Sequence, residues 1–142
     1  MSQEKAVKHR QVFTLLLLLA GILCITSGCQ FSQSGFANLA DSVGDVFIAA
    51  NTTISYVQEG KLTPAYARAS FVNYRSQLEG VEQQLPTQDG APDKQKVRRL
   101  LALFQPAKQV VERPCLTNSC DWHTQVAILQ RAGKAFQEAA EQ

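Results

Sequence analysis

The sequence predicts an all-α protein, an antiparallel four-helix bundle that follows a cleaved N-terminal signal peptide and a short tether. Apolar residues recur at three- and four-residue steps in four separate segments, which is the spacing that lines one face of a helix. No segment longer than a few residues alternates apolar and polar positions, and no repeat period stands out. Breaks that contain proline or glycine separate the segments, as expected for helices that pack as a compact bundle.

The first two predicted helices are separated at Gly60, which is the expected stop of the first. Thr63 followed by Pro64 predicts a helix start, because threonine caps the first turn and proline lacks only an amide that needs no partner there. The apolar face of the first helix is Phe36, Leu39, Ala40, Val43, Phe47, Ala50, Ile54 and Val57. The second apolar set is Ala67, Phe71, Tyr74, Leu78 and Val81.

The third and fourth predicted helices follow a loop at residues 85–93, which is rich in proline, glycine and aspartate. Pro106 should kink or divide the third helix because it cannot donate an amide hydrogen bond, and Pro114 should end it. The third apolar set is Val97, Leu100, Leu101, Phe104 and Val111. The fourth is Trp122, Val126, Leu129, Gly133, Phe136 and Ala140.

The first 28 residues have the three parts of a secretory signal. Lys5, Lys8 and Arg10 make a cationic start, an apolar run extends over residues 12–25, and small residues follow it. The run is shorter than the roughly 18 residues of a membrane-spanning helix, and no cationic stop signal follows. Cleavage is therefore favoured over the alternative, an uncleaved N-terminal anchor helix.

The stretch Ile25, Thr26, Ser27, Gly28, Cys29 resembles the lipobox of bacterial lipoproteins, although Thr26 stands where that class most often has leucine. The resemblance implies cleavage before Cys29, a diacylglycerol on its sulfur and often a further acyl chain, such as palmitate, on its new amine. Two or three chains would hold the protein at a membrane, because each buried methylene contributes about 0.8 kcal/mol. Cys24 follows residues too bulky for the pattern and is interpreted as part of the signal core.

The resemblance also implies an address and a domain division. In the enterobacterial version of the class, aspartate after the lipidated cysteine favours the inner membrane, so Gln30 favours the outer membrane, facing the periplasm. The predicted parts are a signal peptide at 1–28, a lipidated tether at 29–35 and a helical domain at 36–142. Small helical secretion pilotins are similar in architecture, with a lipid anchor, helices and a disulfide, but no motif ties this chain to them.

Cleavage would remove most of the positive charge. Residues 1–28 hold three of the 14 Lys and Arg and one of the 12 Asp and Glu, so 11 of each remain. A mature chain without net charge gives no reason to expect nucleic acid as a partner.

Cys115 and Cys120 form an even pair in a chain predicted to leave the cytoplasm, which predicts a disulfide. Closing so short a loop stabilises a fold by about 2 kcal/mol in the chain-entropy estimate. The bridge should fix the turn between the third and fourth helices. Zinc and redox catalysis are the rival interpretations, but His123 is the only other soft ligand left, and the spacing is not C-x-x-C.

Nothing in the sequence predicts catalysis. His123 has no nucleophile or acid arranged around it, and its neighbour Asp121 is better explained as a helix cap or first-turn charge. The acidic pairs Asp41 with Asp45 and Glu138 with Glu141 have the spacing of solvated helix faces. We therefore expect no enzyme activity, no cofactor and no metal.

One surface suggests a partner. The third helix carries six basic residues and only two acidic ones, Asp93 and Glu112, which gives a local excess of four positive charges. The basic residues are Lys94, Lys96, Arg98, Arg99, Lys108 and Arg113. A solvated face balanced by acidic residues elsewhere gives the same pattern; the functional interpretation is a contact with an acidic protein, lipid head groups or an anionic envelope polymer. Candidate contact residues are Lys94, Arg98, Arg99 and Trp122, the last as an aromatic anchor alongside Tyr56 and Tyr66.

Two hypotheses about function follow. The first is a membrane-anchored, non-catalytic envelope lipoprotein whose helical bundle binds or positions another envelope component. The second is an envelope hydrolase, or a hydrolase inhibitor, that acts through a pocket assembled only in the fold. An acid-lined deep cleft would favour the second.

Overall fold

The computed structural model of the chain describes residues 33–142, and this part is all-helical, which confirms the predicted fold class. The four long helices are α1 (Gly35–Gln58), α2 (Pro64–Leu78), α4 (Lys94–Glu112) and α5 (Trp122–Ala140); between α2 and α4 lie the single turn α3 (Val81–Gln84) and a 3-10 turn at Leu85–Thr87. Within residues 33–142, no helix is long and apolar enough to cross a membrane. The predicted signal peptide, with Cys24 and Cys29, lies outside the described residues.

Local chemistry explains where the long helices begin. Each follows a residue whose side-chain oxygen accepts a hydrogen bond from an amide of the first turn, and the four capping residues are Ser34, Thr63, Asp93 and Asp121. Such caps satisfy donors that have no partner inside the helix. The cap at Ser34 starts α1 at Gly35, one residue before the predicted domain boundary.

The end of α1 has the glycine-dependent geometry that the sequence predicts. Gly60 adopts φ of 71°, and the amide of Lys61 donates to the carbonyl of Tyr56 over 2.8 Å. The amide of Gly60 donates to Val57 over 3.1 Å, which completes a Schellman motif. The predicted start at Thr63 and Pro64 and the predicted end of α4 before Pro114 are likewise confirmed.

Two details differ from the prediction. Gly80, at φ of 75°, ends the second helical segment, so Val81 lies in α3 rather than in α2, although its side chain is buried as its spacing predicts. Of the two predicted effects of Pro106, a kink or a division of the third helix, the division does not occur, since α4 continues through this residue. Pro106 and Ala102 are both exposed, so the Ala102 carbonyl that loses its amide partner can bind water instead.

The core forms where the long helices touch. Helix α1 packs mainly on α5 and also on α2, and α4 contacts both α5 and α2. Three phenylalanines from α1, α4 and α5 meet at the centre, with ring centroids 5.7 Å apart for Phe47 and Phe104, 5.9 Å for Phe47 and Phe136, and 6.1 Å for Phe104 and Phe136. All three rings are fully buried, so this cluster joins three of the four long helices.

Helices α1 and α5 approach most closely at two glycines. A Cβ atom on Gly44 would lie 3.1 Å from the carbonyl oxygen of Gly133, and one on Gly133 would lie 3.3 Å from the carbonyl oxygen of Gly44. Gln137 donates to the Asp45 carboxylate over 3.2 Å, so residues later in α5 lie beside the earlier half of α1. Near the start of α5, the side-chain amide of Asn51 donates to the carbonyl of Val126 over 3.5 Å. Because a later residue of α1 here meets an earlier residue of α5, the two helices run in opposite directions.

We expect Gly44→Val to destabilise the domain by about 1 to 3 kcal/mol, because the neighbouring atoms include backbone of α5 that cannot rotate away. Valine has a higher helix propensity than glycine, but this gain offsets only about 0.3 to 0.5 kcal/mol of the cost. Ser42→Val, at an exposed position of the same helix, is the matched control and should change stability by less than about 0.5 kcal/mol. Urea unfolding checks both variants; equal stability of the two would contradict the close contact.

Candidate functional site

A cleft of about 540 Å³ opens where α1 and α4 begin and α5 ends. Its walls combine apolar and polar groups, with two basic side chains, Lys96 and Arg99, on α4 and one carboxylate, Glu138, on α5. The lining also includes Ser34, Phe36, Leu100, Leu103, Ala135 and Ala139. We call this feature the basic cleft.

The segment between the 3-10 turn and α4 holds the start of α1 in place. The amide of Phe36 donates to the carbonyl of Asp89 over 2.9 Å, which gives a partner to an amide that the first turn of a helix leaves free. Gly90 follows, at φ of 76°, and packs directly on Ser34. Because this contact leaves no room for a Cβ and the backbone is left-handed, the position requires glycine.

The first half of α4 carries an exposed group of cations, namely Lys94, Lys96, Arg98 and Arg99. Among residues 33–142, no carboxylate lies within 4.0 Å of their cationic nitrogens. Asp93 caps the same helix, and its carboxylate accepts from the amides of Gln95 at 2.9 Å and Lys96 at 3.0 Å. The hydrogen bond from the Lys96 amide, and to a smaller extent that from Gln95, lowers the pKa of Asp93. The capping carboxylate therefore stays ionised and offsets one of the four positive charges.

The other two basic residues of α4 lie apart from this group. The Lys108 ammonium bonds to the Glu82 carboxylate at 3.0 Å, and this bond holds the pKa of Glu82 below its ordinary value. Arg113 caps the other end of α4, where its carbonyl accepts from Gln125. The six basic residues of the predicted surface are therefore divided in space.

Trp122 is also separated from the cationic group. It begins α5, whereas Ala139, near the end of α5, lines the cleft with Arg99. Seventeen residues of helix at about 1.5 Å each put roughly 25 Å between the two. Trp122 is half-buried and stacks on His123 with ring centroids 3.6 Å apart, so it belongs to the opposite end of the domain from Lys94, Arg98 and Arg99.

That opposite end holds the cysteine loop. Cys115 and Cys120 form a disulfide, with their Cα atoms 5.8 Å apart, as the sequence predicts. Gln125 of α5 accepts from the amide of Cys115 at 2.7 Å, and Gln58 of α1 donates to the carbonyl of Cys115 at 3.3 Å. The loop is thus bound to both helices by glutamines that carry no recognisable motif, and sequence reasoning missed them for that reason.

The remaining candidates have ordinary structural surroundings. Asp121 caps α5, as the sequence suggests, and hydrogen bonds from the Thr124 side chain and amide lower its pKa. Asp41 and Asp45 lie on an open groove between α1 and α2, and His123 is exposed. Within the described range, no three His, Cys, Asp or Glu residues lie close enough together to hold a metal ion. Tyr56 and Tyr66, which the sequence suggests as aromatic anchors for a partner, are exposed.

Comparisons with protein-family models, with curated proteins and with solved structures find no match to this chain. The basic cleft is the feature that joins charge, apolar surface and a defined concave shape. Of the predicted contact residues, only Arg99 lines the cleft; the spacing of Lys96, Arg99 and Leu103 at three and four residues places them on one side of α4 and is the signal in the sequence that could have indicated it.

We expect Cys115→Ser with Cys120→Ser to lower the free energy of unfolding by about 2 kcal/mol, which for a domain of this size lowers Tm by roughly 10 °C. The loss arises because the unfolded chain regains the freedom that the bridge removes. Thermal unfolding followed by circular dichroism measures the change, and dithiothreitol added to the unsubstituted protein should produce the same shift. Free thiols at either cysteine in the denatured, unreduced protein would contradict the bridge.

Proposed function

We propose that the protein is a lipid-anchored bacterial envelope lipoprotein, attached at Cys29 to the periplasmic face of the outer membrane, whose non-catalytic domain binds or positions another envelope component. The stretch from Thr26 to Cys29, outside the described residues, supports the anchor through its resemblance to a lipobox. The exposed cations on the first half of α4 support the binding role. Their partner has an anionic surface.

We propose further that the helical domain is an antiparallel four-helix bundle. The opposed directions of α1 and α5 at Gln137 with Asp45 and at Asn51 with Val126 support this arrangement. The contacts of α4 with both α5 and α2 support it as well, since each long helix then has two neighbours. A rigid bundle suits a positioning role because its surface residues keep their spacing.

The observation that carries the binding proposal is the energetic cost of the cations on α4. Lys94 and Arg98 lie one turn apart, and like charges at that spacing destabilise a helix by a few tenths of a kcal/mol. The start of a helix is also the positive end of its dipole, where cations are unfavourable by a similar amount. A local conflict of this kind is typical of a functional surface, because an anionic partner relieves it.

The anchor predicts a mature chain that begins at acylated Cys29. Mass spectrometry of the membrane-bound protein should find the mass of residues 29–142 with two or three acyl chains. Cys29→Ser should abolish acylation and lipoprotein processing, whereas Cys24→Ser, which changes only the signal core, should leave the mature mass unaltered. A Cys29→Ser protein that is equally cleaved and membrane-bound would refute the anchor.

The partner surface predicts a charge-dependent complex. Reversing two exposed charges with Lys94→Glu and Arg98→Glu should weaken the complex about tenfold or more, since each exposed ion pair contributes up to about 1 kcal/mol and reversal adds repulsion. The measurement is recovery of a stoichiometric partner from detergent-solubilised envelopes. Arg68→Glu with Arg131→Glu, an equal charge change at exposed positions of α2 and α5, should leave recovery unchanged. Equal recovery with both double variants counts against this surface.

A further inference from the structure

The basic cleft lies at the end of the domain nearest to the proposed lipid. The inference drawn from this rests on the proposed function, because it takes Cys29 as the acylated residue. Six Cα-to-Cα steps join Cys29 to Gly35, the first residue of α1, and they span at most about 20 Å in any conformation. Ser34 lines the cleft, so the cleft must stay close to the membrane surface.

The chemistry of the cleft has two parts. Lys96 and Arg99 supply fixed positive charge, and the one acidic side chain among the described lining residues, Glu138, lies 3.7 Å from Lys134, which offsets its charge. The apolar part of the lining comes from Phe36, Leu100, Leu103, Ala135 and Ala139. A ligand that uses both parts carries an anionic group attached to a short apolar portion.

The volume of about 540 Å³ is in the range of sites for small organic ligands. An inorganic phosphate ion would leave most of the apolar wall without a contact. An extended acidic protein surface would reach the exposed Lys94 and Arg98 but would not fill a concave site. An anionic lipid carries a phosphate joined to a glycerol and acyl chains, so one molecule can contact both the exposed cations and the apolar lining residues.

We propose that the basic cleft binds the headgroup of an anionic phospholipid, with Lys96 and Arg99 contacting the phosphate and the apolar walls contacting the glycerol and first methylenes. The tether keeps the cleft at the membrane surface, where the effective concentration of phospholipid is high, so a weak site is occupied. The bound lipid also orients the domain, with the start of α4 toward the headgroups and the disulfide loop away from them. Lys94 and Arg98, outside the cleft, stay available to the envelope partner.

The test is a titration of the mature lipoprotein, extracted in a neutral detergent, with short-chain phosphatidylglycerol and separately with short-chain phosphatidylcholine. Backbone amide signals in nuclear magnetic resonance spectra report the site and the affinity. We expect the shifts to concentrate at Ser34, Lys96, Arg99 and Ala139, with a Kd for phosphatidylglycerol at least tenfold below that for phosphatidylcholine. Lys96→Gln with Arg99→Gln should raise the Kd for phosphatidylglycerol about 25-fold, because each basic residue near the headgroups contributes about fivefold.

The matched control is Arg68→Gln with Arg131→Gln, which removes two exposed charges that do not line the cleft. Its Kd should stay within about twofold of the unsubstituted protein, and the amide spectra of both double variants establish that they are folded. Equal affinity for the two lipids, or equal loss in the two variants, overturns the proposal. If inorganic phosphate displaces phosphatidylglycerol at equal concentration, the site binds a free anion, and the assignment of a lipid as its ligand is overturned. An unacylated Cys29 in the mass spectrum overturns the proposed function separately, whatever the titration gives.

Discussion

The close approach of α1 and α5 at Gly44 and Gly133 is the contact on which the rest of the domain depends. With no side chain between them at these positions, the two helices come close together, so the rings of Phe47 and Phe136 can meet Phe104 of α4. The same pairing brings the end of α5 beside the start of α1. The basic cleft exists because α4 begins next to that junction and leaves a gap between three helix ends.

The two ends of the domain differ in how they are stabilised. At one end, a disulfide, Gln58 and Gln125 bind a short loop to two helices, and polar groups there have partners within the protein. At the other, Lys96 and Arg99 have no carboxylate partner in the described chain and lie beside exposed apolar wall. The proposed ligands are therefore placed at the end of the domain where the charged side chains have no carboxylate partner within the described residues.

Charge on α4 illustrates a conflict between local preference and function. The helix dipole is best stabilised by acidic residues in the first turn and basic residues in the last turn. Helix α4 has Asp93 as its cap, but cations follow immediately. The cap and the buried face of Val97, Leu100 and Phe104 stabilise the helix enough to tolerate that cost, which leaves its exposed face free to carry the cations of the proposed surface.

Several helix boundaries could be predicted from sequence because they depend on neighbours in the chain: Thr63 with Pro64 favours a helix start, and Gly60 favours a helix end, through local backbone and capping geometry. The end of α2 at Gly80 was missed. The tertiary structure alone decided that α4 continues through Pro106, since the freed carbonyl happens to face solvent. It also separated Arg99, in the cleft, from Arg98, outside it, and put Trp122 at the opposite end. Periodicity shows which face of a helix is buried, but which neighbours cover that face depends on contacts between residues far apart in the chain.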